Sequence, residues 1–263
     1  MICSILTSAS YAQMGKIVFS RNLNNNWDIW IYEFNSGKLE QVTSTVEDEV
    51  NPVWLEEGKI AYLRNGDIYI KDKQEIRITD TGKYRYLTFD YDNNRLLYSY
   101  YHEDESCNIG YYDLETKQEG ILFELEGQQI HPSIANNRLY FTQAYTVKGE
   151  IRQEVYNYSS NKGIRPVVVD EDYYFYRPAI SAKRKSLLFG SNSGLYISNS
   201  RGKKIKKLNL HRDYIEYPAW GSGNYIIFTT FAENKLSLAI YNLSSEKMEI
   251  LDIAGDCREA DWQ

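Results

Sequence analysis

Six runs of one kind recur along the chain, and their spacing leaves few folds open. Each leads aliphatic residues into an aromatic ring: Lys16-Ile17-Val18-Phe19, Lys59-Ile60-Ala61-Tyr62, Arg95-Leu96-Leu97-Tyr98, Arg138-Leu139-Tyr140-Phe141, Ser186-Leu187-Leu188-Phe189 and Tyr225-Ile226-Ile227-Phe228. Successive rings are 43, 36, 43, 48 and 39 residues apart. The stretch from Asn51 to Thr79 shows what one period contains. Pro52-Val53-Trp54, Lys59 to Tyr62, Asp67-Ile68-Tyr69-Ile70 and Glu75-Ile76-Arg77-Ile78 are four short strand-like runs, separated by Glu56-Glu57-Gly58 and Asn65-Gly66 turns. A four-stranded sheet of about 30 residues cannot bury both faces alone, so neighbouring units must stack. A period near 40 with four strands per unit predicts propeller blades.

The other strands keep step. Third-strand copies are Asp28-Ile29-Trp30-Ile31, Asp67 to Ile70, Asn108-Ile109-Gly110-Tyr111, Glu154-Val155-Tyr156-Asn157, Gly194-Leu195-Tyr196-Ile197 and Ser237-Leu238-Ala239-Ile240. First-strand copies begin at Asn51, Tyr86, His131, Arg177, Tyr217 and Glu259. The Lys16 copy has no first strand before it, and Glu259 to Trp262 has no unit after it. The expected fold is therefore all-β: a six-bladed β-propeller of four-stranded antiparallel blades. Its ring would be closed by pairing of the C-terminal strand with the N-terminal blade.

Composition excludes several classes. The 24 tyrosines and 14% aromatic content suit pleated, half-buried strands. A net charge of −6 gives no general attraction to nucleic acid. No run approaches the roughly 18 apolar residues that span a membrane. Cys3, Cys107 and Cys257, odd in number and without paired spacing, read as free thiols rather than a disulfide framework or zinc site. Residues 1–12, MICSILTSASYA, are uncharged and end in a small-residue pattern, which reads as a short or truncated signal peptide. The alternative is a disordered tail. Residues 13–263 read as one domain, expected to be monomeric and periplasmic or otherwise exported.

With the units aligned, the chain resembles the TolB-like six-bladed propellers, a WD-repeat-like group related to the propeller domains of prolyl oligopeptidases and dipeptidyl peptidases. That group's P-x-W-S-P-D-G-K-x-I-A-F pattern, followed by D-I-Y-V and a closing L-T, is matched by Pro52, Trp54, Gly58, Lys59, Ile60, Ala61, Tyr62, Asp67, Ile68, Tyr69, Ile78 and Thr79. Arg21 through Trp27-Asp28-Ile29-Trp30 to Val42-Thr43 is a second good copy, and the similarity covers about residues 16 to 263. The S-P-D-G turn is eroded to Leu55-Glu56-Glu57-Gly58, Asp92-Asn93-Asn94 and Gly221-Ser222-Gly223. The resemblance implies a stand-alone relative of TolB without its additional N-terminal domain.

No catalytic signature accompanies the repeats. Gly190-Ser191-Asn192-Ser193-Gly194 places Asn where a nucleophile elbow needs serine, and no phosphate-binding, dinucleotide or zinc-protease motif occurs. Function is expected where the loops before the first strands and between second and third strands meet. Asn51, Tyr86, His131, Arg177, Tyr217 and Glu259 occupy one equivalent position and should form a polar ring at the channel mouth. Tyr174 and Tyr176 join them as candidates, because Tyr173-Tyr174-Phe175-Tyr176 cannot all face one core in a strand. Aromatics beside Arg and acids suit a protein or peptide segment, or a saccharide. The alternative is that these side chains pack between blades and satisfy loop carbonyls.

The primary reading is a non-enzymatic protein-binding scaffold of the cell envelope with no cofactor. The rival is a carbohydrate-processing lyase or hydrolase using His131, Arg177, Tyr217 and Glu259 as acid, base and clamps. Glu47-Asp48-Glu49, Glu103-Asp104-Glu105 and Asp170-Glu171-Asp172 could ligate Ca²⁺ but read as solvated loops. The basic run from Arg201 to Lys207 discourages edge-to-edge pairing of an outer strand; an anionic partner is its second reading.

Overall fold

A computed structural model describes residues 14–170, 174–181 and 183–263. The signal-peptide reading of residues 1–12, together with Glu171, Asp172 and Tyr173, lies outside the described residues. Among the described residues the strands run in chain order as a repeated meander. The first unit holds β1 (Lys16–Leu23), β2 (Asn26–Glu33) and β3 (Lys38–Gln41); the second holds β4 (Glu49–Trp54), β5 (Ile60–Arg64), β6 (Asp67–Lys71) and β7 (Glu75–Arg77). The third holds β8 (Tyr84–Asp90), β9 (Arg95–Tyr101), β10 (Cys107–Asp113) and β11 (Glu119–Ile121); the fourth holds β12 (Gln128–Ala135), β13 (Arg138–Val147), β14 (Glu150–Ser159) and β15 (Gly163–Val168). The fifth holds β16 (Phe175–Ser181), β17 (Ser186–Ser191), β18 (Gly194–Asn199) and β19 (Lys206–Lys207); the sixth holds β20 (Ile215–Trp220), β21 (Tyr225–Ala232), β22 (Lys235–Asn242) and β23 (Lys247–Ile250). The last strand is β24 (Asp256–Trp262).

This is an all-β propeller of small antiparallel sheets. Hydrogen bonding divides it into five sheets, four of four strands and one of eight. The expectation of separate four-stranded sheets throughout is corrected there. The third and fourth units share one sheet because β10 and β12 meet in parallel at a single pair, Cys107 with Gln128. Side chains hold that junction. Asn108 Nδ2 donates to Gln129 Oε1 at 2.7 Å, and the Cys107 thiol donates to the Gln129 carbonyl at 3.4 Å. At the ends of the chain, β24 pairs antiparallel with β1, Ile17 opposite Trp262 and Arg21 opposite Cys257.

The core lies between sheets rather than inside any of them. Six hydrophobic clusters are each shared by two consecutive units, and one of them joins the sixth unit to the first through Ile227, Leu238 and Leu251 against Ile17, Phe19 and Phe34. The repeated aromatics Phe19, Tyr62, Phe141, Phe189 and Phe228 are fully buried, and Tyr98 is almost so. Each such side chain contributes about 1.5–3 kcal/mol relative to exposure, which is why the 40-residue recurrence is an architectural signal.

The Asp-led third strand and the closing Thr form one device. Thr43 and Thr79 hydroxyls accept the N–H of Ile29 and Ile68 at 2.8 Å and face the carboxylates of Asp28 and Asp67. A short fourth strand is thereby pinned to the third without a long ladder.

Candidate functional site

The innermost strands β4, β8, β12, β16, β20 and β24 contact one another in a closed cycle. Each carries a β-bulge at the same point. Pairing with the neighbouring strand skips between Val50 and Val53, Arg85 and Thr88, Ile130 and Ser133, Tyr176 and Ala179, Glu216 and Ala219, and Arg258 and Asp261. The first skipped residue is left-handed in all six: φ is 53° at Asn51, 55° at Tyr86, 55° at His131, 49° at Arg177, 50° at Tyr217 and 59° at Glu259. Left-handed backbone is costly for non-glycine residues, and bulges re-aim side chains. All six ring positions line one central cavity of about 290 Å³.

The second skipped residue explains the prolines. Pro52, Pro132, Pro178 and Pro218 stand where the ladder is broken and have no N–H to leave unpaired. Leu87 breaks that pattern, and its N–H donates to Asn51 Oδ1 at 2.6 Å from the adjacent first strand. The left-handed residues gain their own partners from the preceding unit's second strand. Ser20 Oγ accepts the Asn51 N–H at 3.1 Å, Thr142 Oγ1 accepts the Arg177 N–H at 3.1 Å, and Thr229 Oγ1 accepts the Glu259 N–H at 3.4 Å. These hydroxyls follow the repeated aromatic by one residue, in Phe19-Ser20, Phe141-Thr142 and Phe228-Thr229, so the repeat itself marks them.

Charge in the ring is internally matched. The Glu259 carboxylate accepts the Ser20 hydroxyl at 2.9 Å and the Asn51 N–H at 2.8 Å, and Arg258 Nε lies 3.6 Å away. Arg177 pairs with Glu216, stacks 3.9 Å from the Tyr217 ring centre and lies 5.3 Å from that of Tyr86. Burial pulls its guanidinium down, but Tyr217, Glu216, Tyr86 and Glu259 together hold it above the ordinary value. The Tyr86 and His131 rings meet edge to face at 4.2 Å. His131 Nδ1 lies 3.2 Å from Thr142 Oγ1, while Nε2 is shielded from solvent and has no partner among the described residues. Burial, then the Arg177 charge, push its pKa well below the imidazole range, so the ring is neutral at pH 7. Burial and the Glu259 charge raise the Tyr217 phenol.

Tyr174 and Tyr176 are not among the residues that line this cavity. The Tyr176 hydroxyl donates to the Ser191 carbonyl at 3.0 Å, and its ring covers Gly190, where a Cβ would sit 2.6 Å from it. Tyr174 is 42% exposed just before β16. The site also contains residues outside the six ring positions. Glu216 and Arg258 adjoin ring positions Tyr217 and Glu259 in sequence, and Asp261 lines the cavity, accepting the N–H groups of Trp54 at 2.8 Å and Trp262 at 3.0 Å. Burial raises the Asp261 carboxyl to about 6 against the lowering effect of those two donors.

Among the described residues no three His, Cys, Asp or Glu side chains are grouped as metal ligands. Acidic side chains of the first two loops are engaged locally. Asp48 accepts the Trp27 N–H, Glu49 pairs with Arg64 at 2.6 Å, Glu103 pairs with Lys83, and Asp104 accepts from Ser106.

No protein-family model and no curated protein matches the chain. Solved structures do. TolB from Acinetobacter baumannii superposes with a TM-score of 0.77 at 17% identity, over 94% of this chain and 66% of that one. A protein described as TolB from Agrobacterium tumefaciens gives 0.73 at 12% identity, over 94% and 91%. An oligogalacturonate lyase in complex with manganese gives 0.62 at 11% identity, over 91% and 76%. At these identities the likeness is one of fold. This chain spans 66% of the length of the A. baumannii TolB.

Proposed function

We propose that this chain, a TolB-like β-propeller, is a six-bladed ring closed by β24 on β1 and serves as a non-catalytic scaffold. The eight-stranded sheet counts as two blades joined at Cys107 and Gln128. Asn51, Tyr86, His131, Arg177, Tyr217 and Glu259 form its mouth, with Tyr174 and Tyr176 beside it, and the mouth takes a segment of a partner protein. The envelope setting rests on the export reading of residues 1–12.

One observation carries this reading. Of the exposed large hydrophobic side chains, six sit in loops or hairpin tips on the mouth face: Val46, Ile151, Val169, Tyr174, Tyr214 and Phe231, between 40% and 92% exposed. Apolar side chains exposed on the same face as a polar cavity suit a protein-binding surface. The rival carbohydrate-processing reading draws on the fold likeness to the lyase. Against it, the neutral His131 and a Glu259 carboxylate already holding two donors make a poor acid–base pair.

Affinity capture from envelope extracts tests the proposal, with wild-type chain compared with Tyr174→Ala/Phe231→Ala. The expected result is a partner retained by wild type and lost by the variant at unchanged thermal stability. An identical partner set for both would place recognition elsewhere. Turnover of an oligosaccharide panel that disappears in Glu259→Gln would replace the scaffold reading with the enzymatic one.

A further inference from the structure

The face opposite the mouth carries a charge pattern that neither the ring nor its partner segment explains. In a four-stranded meander, the turns from first to second and from third to fourth strand lie at the end away from the mouth. In the fourth and fifth units the described residues of these turns and their flanks are 135–138, 159–165, 181, 183–186 and 198–207. They hold eleven of the chain's 30 lysines and arginines and neither Asp nor Glu, in a protein whose net charge is −6. Among the described residues only Lys206 there meets a carboxylate, that of Glu246 at 2.9 Å.

The fold presses these turns together. The Tyr140 hydroxyl of the fourth unit donates to the Ser200 carbonyl of the fifth at 2.7 Å, and Ser200 N–H donates to the Lys185 carbonyl at 2.9 Å. Gly202 lies so close to β15 that a Cβ would stand 2.0 Å from the Val167 carbonyl oxygen. Between the two units opens a cleft of about 400 Å³, with Arg138 and Lys185 on its walls beside the polar groups of Asn136, Ser181 and Ser200. Like charges held together without counter-ions repel, so the arrangement destabilises the free protein and attracts an anionic surface.

Ile205 identifies which surface. It is 47% exposed and stands between Lys204 and Lys206 within the basic run. An apolar side chain among lysines suits the headgroup–acyl boundary of a bilayer, where the cations meet phosphates and the hydrocarbon leaves water. A soluble polyanion would leave Ile205 in water.

We propose that the face formed by the β12–β13, β14–β15, β16–β17 and β18–β19 turns docks on an anionic phospholipid surface. Docked there, the ring turns its mouth away from the bilayer. The proposal does not depend on what the mouth binds.

Co-sedimentation of the full chain with phosphatidylcholine vesicles, with and without about 30% phosphatidylglycerol, tests it at low salt. Binding is expected only with phosphatidylglycerol and is lost in about 0.5 M salt, where the screening length falls below about 5 Å. Arg201→Ala/Lys203→Ala/Lys204→Ala removes three exposed cations at about fivefold each, so affinity should fall about 100-fold. Ile205→Ser should weaken vesicle binding about tenfold at unchanged charge while leaving heparin binding as it was. Circular dichroism checks that both variants fold. Equal binding to both vesicle types, undiminished binding by the triple variant, or an Ile205→Ser variant that binds vesicles like wild type would each overturn the proposal. In the last case, heparin binding as strong as vesicle binding would assign the patch to a soluble polyanion.

Discussion

Asp261 offers a test of the ring's electrostatics that needs no ligand. Its carboxyl sits in the central cavity, holding the N–H groups of Trp54 and Trp262, and burial raises its pKa to about 6. The facing Tyr91 phenol is pushed up to about 12, by burial first and then by the charges of Asp261 and Glu56. In the unfolded chain an aspartate titrates near ~4. Between those values the native state binds a proton that the unfolded state does not, so stability rises as pH falls from about 6 to about 4. This stabilisation is complete below ~4 and is lost as pH rises through ~6. About 2 pH units at ~1.4 kcal/mol each give a ceiling of about 3 kcal/mol. Because Asp261 lines the cavity and keeps some contact with water, about 1–3 kcal/mol is expected.

The perturbation is Asp261→Asn, which removes the titration and keeps one oxygen acceptor. Losing the second hydrogen bond costs about 1 kcal/mol at every pH. Urea unfolding followed by tryptophan fluorescence, at intervals from pH 7.5 to 4, gives the stability difference between the two proteins. His131 acts in the opposite direction, since a buried neutral imidazole loses stability on acidification, and Asp28, also raised to about 6 by burial and by Glu49, acts in the same one. Both are common to the two proteins and cancel. Wild type should gain about 1–3 kcal/mol on the variant as pH falls. Parallel curves, within about 0.5 kcal/mol across the range, would refute a buried and raised carboxyl at this place.

Three other outcomes follow from the geometry. Thr142→Val removes the oxygen that accepts the Arg177 N–H and faces His131 Nδ1; it should cost about 1–3 kcal/mol in urea unfolding, with Thr142→Ser close to wild type. Gly66→Ala places a Cβ 2.1 Å from the Gly82 carbonyl oxygen at a φ of +77°, so it should cost more than about 2 kcal/mol, read as a lowered Tm. Burial pushes the Cys107 and Cys257 thiols up to about 12, so a thiol reagent at pH 8 should label both only after unfolding, as peptide mapping would report.

That the six positions are equivalent was legible in the sequence, but how each is built was not. Four of the six positions precede a proline inside a strand-like run, which marks a break in the ladder. That pattern places Asn51, His131, Arg177 and Tyr217, and the repeat alignment adds Tyr86 and Glu259. The left-handed backbone at all six was invisible, because it is imposed by how each bulge sits against the next unit. The packing of Tyr176 was hidden for a related reason. Four consecutive aromatics look exposed in a strand pattern, yet Gly190 on the neighbouring strand leaves room for the Tyr176 ring to lie down.

The sequence by itself determined what depends on period and local chemistry. Alternating apolar residues with a recurring aromatic specify strands, their buried face and the stacking of units, and Asn-Gly and Pro specify turns and breaks. Only the tertiary structure decided which polar groups meet. Ser20 and Glu259 are 239 positions apart and 2.9 Å apart in space, and the cations of two units become one face only when their turns are packed together. Hydrogen bonds and charges act over a few ångströms, whereas the repeat acts along the chain. A sequence therefore shows which groups are present, and the packing of its sheets against one another determines which of them must satisfy one another.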